Sequence, residues 1–117
     1  MEGYFFVYGT LLQEKVWRRL IGRSPIIEPA TLNGFRRYQI LSASYPGMWF
    51  CEGAQVAGGF VSDITQEESQ TLDYYEGEEY QKIWVDIMVN GMKIKAKTYI
   101  RQPQSPQEWA EKYYLDT

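Results

Sequence analysis

Three carboxylates, Glu76, Glu78 and Glu79, stand within four residues where a predicted helix ends, in the segment Leu-Asp-Tyr-Tyr-Glu-Gly-Glu-Glu-Tyr at residues 72–80. A helix C-terminus carries partial negative charge and prefers cations, so these acids oppose local stability. The helix end, the neighbouring acids and the flanking tyrosines should raise the pKa of Glu76 toward neutral. A carboxyl of that kind suits general acid–base catalysis. The alternative is an acidic surface turn with all three carboxylates in water.

A second segment that could take part in binding or catalysis, residues 6–12, places a glycine where a predicted strand stops and a helix starts. Gly9 allows the backbone to bend sharply there and leaves several N–H groups without partners at the positive end of a helix. Such amide groups bind anions. The alternative is that Thr10 is only a helix N-cap and Gly9 only a turn residue.

The chain contains no histidine, which excludes Ser-His-Asp and Cys-His catalysis and histidine-ligated metal sites. Acid–base chemistry is therefore left to carboxylates, tyrosines or lysines. The single cysteine, Cys51, has no imidazole to activate it, and we interpret it as a structural thiol. We expect neither a metal nor a cofactor.

The composition predicts one compact domain over residues 1–117, because a chain of 117 residues is too short for separate cofactor and substrate domains. A net charge of -3 has the wrong sign for a protein that neutralises phosphates, so nucleic acid and anionic membranes are poor partners. The first residues carry no basic segment, and no stretch approaches the ~20 apolar residues of a spanning helix. We therefore expect a cytoplasmic protein.

Local patterns predict the elements of the first half of the chain. Residues 5–8 resemble a buried strand, and apolar residues at helical spacing follow it until Gly22. Further strands are expected near residues 30–41 and 56–64, separated by the turn-prone Tyr-Pro-Gly at residues 45–47.

Two capping boxes predict helices in the second half. Thr-Gln-Glu-Glu at residues 65–68 should begin a helix that runs to about Glu76, with Gly77 after its end. Ser-Pro-Gln-Glu at residues 105–108 should open a C-terminal helix through Trp109, Tyr113 and Tyr114.

Between these helices, Asn90-Gly91 is the signal of a two-residue type I′ hairpin, which sets Val89 opposite Met92. The resulting register pairs residues whose numbers sum to 181 and puts Ile83, Val85 and Ile87 on the core face. It pairs Asp86 with Lys95 and Trp84 with Lys97 on the other face. Lys93, Lys95 and Lys97 are therefore expected to form the wet face of their strand, without a function.

The elements together indicate an α+β, mixed fold. The chain has at least five predicted strands, with a strand-to-helix unit at the front and a hairpin at the back. A small mixed β-barrel with helices packed around it would best bury the apolar side chains of these elements.

Four motifs in this order resemble the γ-glutamylcyclotransferase-like family, including its γ-glutamylamine cyclotransferase branch. They are Tyr-Gly-Thr-Leu at residues 8–11, Tyr-Pro-Gly at 45–47, Gly-Phe-Val at 59–61 and Leu-Asp-x-x-Glu-Gly-x-x-Tyr at 72–80. The resemblance covers nearly the whole chain. It departs from the family at Lys82, where an arginine is frequent; a lysine keeps the charge without the guanidinium fork.

The resemblance implies a pocket in which the backbone of Tyr8, Gly9, Thr10 and Leu11 cradles the amino acid end of the substrate. It also implies that Glu76 is the catalytic proton acceptor and that Tyr99 borders the pocket.

The reaction implied by the resemblance releases 5-oxoproline from a γ-glutamyl amine or γ-glutamyl peptide without a cofactor. The substrate's own α-amine attacks its γ-carbonyl, so catalysis needs a folded substrate and proton transfer by Glu76. The alternative is a non-catalytic module that binds a small ligand or a protein on the same fold. The sequence carries no signal for the leaving amine or for an oligomeric state.

Overall fold

A computed structural model describes residues 2–40 and 46–109. The strands are β1 (Phe5–Val7), β2 (Glu28–Gln39), β3 (Pro46–Val61), β4 (Gln81–Val89) and β5 (Met92–Ile100). The helices are α1 (Glu14–Ile21), α2 (Gln66–Glu76) and α3 (Pro106–Trp109), and a 3₁₀ turn (Gly9–Leu12) precedes α1.

The five strands form a closed barrel in the order β1-β3-β2-β4-β5. All neighbours are antiparallel except β1 and β5, which run parallel and close the barrel at Phe5 and Lys97. The expected α+β fold with a small mixed barrel and packed helices is therefore confirmed.

The longest strand begins earlier than the sequence indicates. β3 starts at Pro46 and pairs with β2 over residues 46–50 and 55–60, with a register shift between Asn33 and Phe35 of β2. Pro46 and Gly47 therefore belong to the strand, and Tyr45 lies outside the described residues. Gly47 is needed there because an added Cβ would lie 2.4 Å from the ring of Tyr38.

The β4–β5 hairpin has the predicted register, from Val89 opposite Met92 to Gln81 opposite Ile100. Asn90 and Gly91 have φ angles of 51° and 78°, as a type I′ turn requires. Val85 and Ile87 are buried, as expected for the core face.

One lysine of this hairpin was assigned wrongly to the wet face. Lys93 and Lys95 are exposed, but Lys97 is buried because β1 runs beside it. Its Nζ lies 3.1 Å from Glu2 Oε1 and 5.0 Å from the ring centroid of Phe5. The contact between β1 and Lys97 joins residues far apart in the sequence, so the alternation of exposed and buried residues within the hairpin cannot predict it.

The helix ends follow the predicted caps in part. α1 ends at Gly22, which has a φ of 79°, and both hydrogen bonds of the Thr65–Glu68 capping box are present. In α3, Ser105 Oγ accepts from Glu108 N–H (3.3 Å), while the Glu108 carboxylate accepts from Gln104 N–H instead. Tyr113 and Tyr114 lie outside the described residues.

Two apolar clusters hold these elements together. One fills the barrel and includes Phe6, Leu32 and Ile87; the other lies outside the barrel, where Trp17 of α1 and Leu72 of α2 pack with Phe5, Val7 and Tyr99. The outer cluster fixes α2 against the ends of β1 and β5 and so determines where Glu76 lies.

Candidate active site

A cavity of about 100 Å³ opens where β1 gives way to the 3₁₀ turn. It is bounded by the end of β1, this turn, the start of β3, the last residues of α2 and the end of β5. Five aromatic residues, four smaller side chains and one carboxyl form its wall: Phe6, Val7, Tyr8, Thr10, Leu11, Pro46, Tyr75, Glu76, Tyr80 and Tyr99.

Glu76 is the last residue of α2 and contributes the carboxyl group of this wall. Gly77, with a φ of 87°, ends the helix and turns the chain away. The Glu76 side chain is partly buried and makes no hydrogen bond or ion pair with the residues that the structure describes. Burial without a compensating partner raises the pKa of Glu76 from 4.5 to about 7.

The two other acids of this turn lie elsewhere. Glu78 and Glu79 are exposed, and Glu79 Oε1 lies 3.9 Å from Arg101 Nε. The raised pKa of Glu76 therefore comes from burial, whereas the sequence pointed to the helix end and to neighbouring acids and tyrosines.

The 3₁₀ turn places two backbone amides beside the same cavity that have no hydrogen-bond partner among residues 2–40 and 46–109. Its first hydrogen bond runs from Leu11 N–H to Tyr8 O (3.3 Å), so the N–H groups of Gly9 and Thr10 precede the hydrogen-bonded part of the turn. Gly9 has a φ of 64°, and an added Cβ would lie 2.9 Å from Pro46 Cγ. Gly9 does not line the cavity itself, but it lets the turn approach Pro46, which does.

Two hydrogen bonds fix the turn against the helices. Trp17 Nε1 donates to Leu11 O (2.6 Å), and the hydroxyls of Thr10 and Tyr75 lie 3.0 Å apart. The second contact joins the turn directly to the residue before Glu76, so the turn amides and the carboxyl are held on one cavity.

Three tyrosine hydroxyls of the wall have defined partners. Tyr8 donates to Tyr99 O (2.7 Å), Tyr80 to Pro46 O (3.1 Å), and Tyr99 to Asp73 Oδ1 (2.5 Å). Burial raises the pKa of Tyr8 and of Tyr99 well above the ordinary tyrosine value. These hydroxyls therefore stay protonated near neutral pH and serve as hydrogen-bonding groups, not as bases.

The residues singled out in the sequence thus come together from distant parts of the chain. Tyr8, Thr10, Leu11, Glu76 and Tyr99 line one cavity. Sequence reasoning missed the wall residues of β1 and β3 and two tyrosines on either side of the acidic turn: Phe6, Val7, Pro46, Tyr75 and Tyr80. The Tyr-Pro-Gly and Glu-Gly-x-x-Tyr motifs contain two of them and were the available signal.

Lys82 contacts the acidic helix rather than the cavity. Its Nζ lies 3.0 Å from Asp73 Oδ1 and donates to Asp73 Oδ2 at 3.1 Å. Within residues 2–40 and 46–109 no group of three or more Cys, Asp or Glu side chains could hold a metal ion. No helix in this part of the chain is long and apolar enough to cross a membrane.

The fold has close counterparts among solved structures. A solution structure from Arabidopsis thaliana superposes with a TM-score of 0.83 at 32% identity, covering 92% of this chain and 74% of that one. A structure named "Gamma-glutamyl cyclotransferase" shares the fold at 18% identity, with a TM-score of 0.73 and coverage of 90% and 72%. The barrel and its helices thus have the γ-glutamyl cyclotransferase-like fold.

The sequence matches the family "Gamma-glutamyl cyclotransferase, AIG2-like" over residues 5–116, and the chain belongs to this family. Its curated relatives include two Arabidopsis thaliana proteins. AIG2-like protein A is 35% identical over 97 residues, which are 81% of this chain and 59% of the relative. AIG2-like protein B is 31% identical over 96 residues, 80% of this chain and 56% of the relative. The chain therefore spans little more than half the length of these relatives.

Proposed function

We propose that this protein is a γ-glutamyl cyclotransferase-type enzyme that releases 5-oxoproline from a γ-glutamyl amine or γ-glutamyl peptide. The observation that carries the proposal is a partly buried glutamate, Glu76, whose pKa of about 7 lies close to neutral and whose carboxyl lines a cavity beside free turn amides. A carboxyl of this kind can both accept and return a proton at neutral pH.

In the proposed reaction Glu76 first takes a proton from the α-ammonium of the substrate. The freed amine attacks the γ-carbonyl carbon, a carbon–nitrogen bond forms, and the carbonyl oxygen becomes an oxyanion. The attacking nitrogen now carries two protons and a positive charge. Glu76 gives its proton to the departing nitrogen and the original amide bond breaks. One proton of the ring nitrogen then passes through Glu76 to the released amine, so that 5-oxoproline and a protonated amine leave. Atoms and charges balance without a redox step, so the substrate supplies its own nucleophile and no cofactor is required.

The 3₁₀ turn supplies the second half of the proposed site. The N–H groups of Gly9 and Thr10, which have no partner in the part of the chain that the structure describes, would donate to the substrate carboxylate or to the developing oxyanion. Tyr8, Leu11 and Tyr99 would enclose the aliphatic part of the glutamyl group. The cavity, at about 100 Å³, is smaller than typical drug-sized pockets and suits a group of amino acid size.

We propose that residues 1–117 act as one catalytic domain on a small γ-glutamyl compound in the cytoplasm. The family supports an enzyme of this kind, and the γ-glutamyl substrate is the one that the family resemblance implies.

A substrate panel tests the proposal. The purified protein is incubated with γ-glutamyl amines and γ-glutamyl dipeptides, and 5-oxoproline is measured by chromatography with mass detection. We expect enzyme-dependent release from at least one member. Binding of a panel member without any release of 5-oxoproline would contradict the proposal and identify a binding module on the same fold.

A further inference from the structure

Among the tyrosines of the cavity wall that donate to fixed partners, Tyr8 and Tyr99 are joined in one chain of hydrogen bonds. Tyr8 donates to the carbonyl oxygen of Tyr99 (2.7 Å), and Tyr99 donates to the carboxylate of Asp73 (2.5 Å). A carbonyl oxygen and a carboxylate can only accept, so the direction of both hydrogen bonds follows from chemistry. What Tyr8 and Tyr99 can offer a ligand is therefore a lone pair on oxygen, not a proton.

The partner of Tyr99 is itself held in place from behind the wall. Lys82 Nζ lies 3.0 Å from Asp73 Oδ1, donates to Oδ2 at 3.1 Å and also reaches Ser69 Oγ at 3.4 Å. Asp73 and Lys82 do not line the cavity but a neighbouring groove on the other side of Tyr99. The hydrogen bond from Tyr99 to Asp73 therefore links this ion pair to the wall of the cavity.

In its ionised form the carboxyl of Glu76 adds a third acceptor to the same wall, because a carboxylate has no proton to donate. Three acceptors around one small cavity match a ligand group that consists only of donors. Among groups of amino acid size, an ammonium is that group, with three N–H donors and a positive charge.

We propose that Asp73, held by Lys82, is a positioning residue that keeps Tyr99 Oη a hydrogen-bond acceptor, and that Tyr99 thereby recognises the α-ammonium of the ligand. The inference rests on the proposed function and deepens it, since it names the chemical feature that the site selects. The amides of Gly9 and Thr10 in the 3₁₀ turn complement this acceptor wall, because they offer donors to the acidic or oxyanionic groups of the substrate.

Two probes that cannot cyclise test this inference. L-Methionine sulfone carries a sulfonyl group in place of the γ-carbonyl, and 4-(methylsulfonyl)butanoate differs from it only by lacking the α-amino group. Calorimetric titration of the wild-type protein should show tighter binding of methionine sulfone. Tyr99→Phe and Asp73→Asn should each weaken methionine sulfone binding by about 10-fold to 100-fold, the range of a hydrogen bond to a charged group. Binding of the des-amino probe should stay within about twofold, because it has no ammonium for Tyr99 to accept from.

A surface ion pair of the same hairpin provides the matched control. Asp86 and Lys95 lie 3.3 Å apart, are exposed and do not line the cavity. Asp86→Asn should leave both affinities unchanged. Lys82→Met should weaken methionine sulfone binding less than Asp73→Asn does, and Lys82→Arg should restore it.

A purely structural role predicts a different result. If Asp73→Asn weakened both probes equally, or if the wild-type protein did not prefer the probe with the ammonium, the inference would be wrong. The test is independent of turnover, because neither probe can release 5-oxoproline. Preference for the ammonium without any 5-oxoproline release from the substrate panel would contradict only the proposed function.

Discussion

Replacing Glu76 by glutamine should make the stability of the protein less sensitive to pH. Folding raises the pKa of this carboxyl from 4.5 to about 7, so the folded protein binds this proton more tightly than the unfolded chain. Wild-type stability is therefore lost as pH rises from about 4.5 through about 7. Glutamine has nearly the same shape as glutamate and cannot ionise, so Glu76→Gln should keep this stability as the pH rises.

The size of the effect follows from the pKa difference. A difference of about 2.5 pKa units corresponds to about 3 kcal/mol as an upper bound. Because the Glu76 side chain is only partly buried, solvent screening reduces the expected gain to about 1–3 kcal/mol at pH 8. At pH 4 the carboxyl is protonated in both states, and the two proteins should be equally stable.

Urea denaturation followed by tryptophan fluorescence, at pH values from 4 to 8, measures this difference directly. Glu78→Gln is the control, because Glu78 lies on the same turn but is exposed. The stability difference between wild type and Glu76→Gln should grow between about pH 4.5 and 7, and Glu78→Gln should show no such trend. A difference that does not change with pH, or a loss of stability in Glu76→Gln at pH 8, would refute burial as the cause of the raised pKa.

Two further substitutions probe the scaffold by urea denaturation. Gly9→Ala should cost about 1–3 kcal/mol, since its φ is 64° and an added Cβ would lie 2.9 Å from Pro46 Cγ. Gly22 has a φ of 79°, but an added Cβ there would meet no atom within 4 Å, so Gly22→Ala should cost less. Equal losses in the two variants would show that the contact with Pro46 does not contribute to the cost at Gly9. Arg23→Met removes the hydrogen bonds that hold the pKa of Glu68 at about 2. The stabilisation of the folded state by these hydrogen bonds is present above about pH 4.5 and is lost toward pH 2. Arg23→Met should therefore lower the free energy of unfolding by about 1 kcal/mol at pH 7 and by less at pH 3. An equal loss at both pH values would contradict this dependence on the ionisation of Glu68.

The parts of the fold that depend on neighbouring residues could be predicted from the sequence. Asn90-Gly91 determines the turn and hence the register of the whole β4–β5 hairpin. The capping box at Thr65 and the glycine at position 22 mark helix ends in the same local way. Each of these signals acts within a few residues of the chain.

Non-local packing decided what the sequence did not predict. β3 extends back to Pro46 because β2 pairs with it and because Gly47 makes room for the ring of Tyr38. Lys97 is buried because a strand from the other end of the chain runs beside it. No period or turn signal within one segment contains this information.

The candidate site also combines features that local sequence predicts with contacts that it does not. Glu76 and the 3₁₀ turn were singled out from residue type and position. The hydrogen bond from Tyr99 to Asp73 and the contact between Thr10 and Tyr75 join residues 26 and 65 positions apart. Such contacts follow from the closed barrel and from α2 packing against it, which only the three-dimensional structure defines.

The most direct test of the central claim is the rate at which Glu76→Gln releases 5-oxoproline from the best substrate of the panel. Glutamine keeps the shape of the wall but cannot accept a proton, and the chain contains no histidine to replace it. We expect a loss of turnover of about 10,000-fold or more, at or above the upper end of the usual contribution of acid–base catalysis. Glu78→Gln and Glu79→Gln should turn over at nearly the wild-type rate. Cyclisation by Glu76→Gln at close to the wild-type rate would show that Glu76 is not the proton carrier.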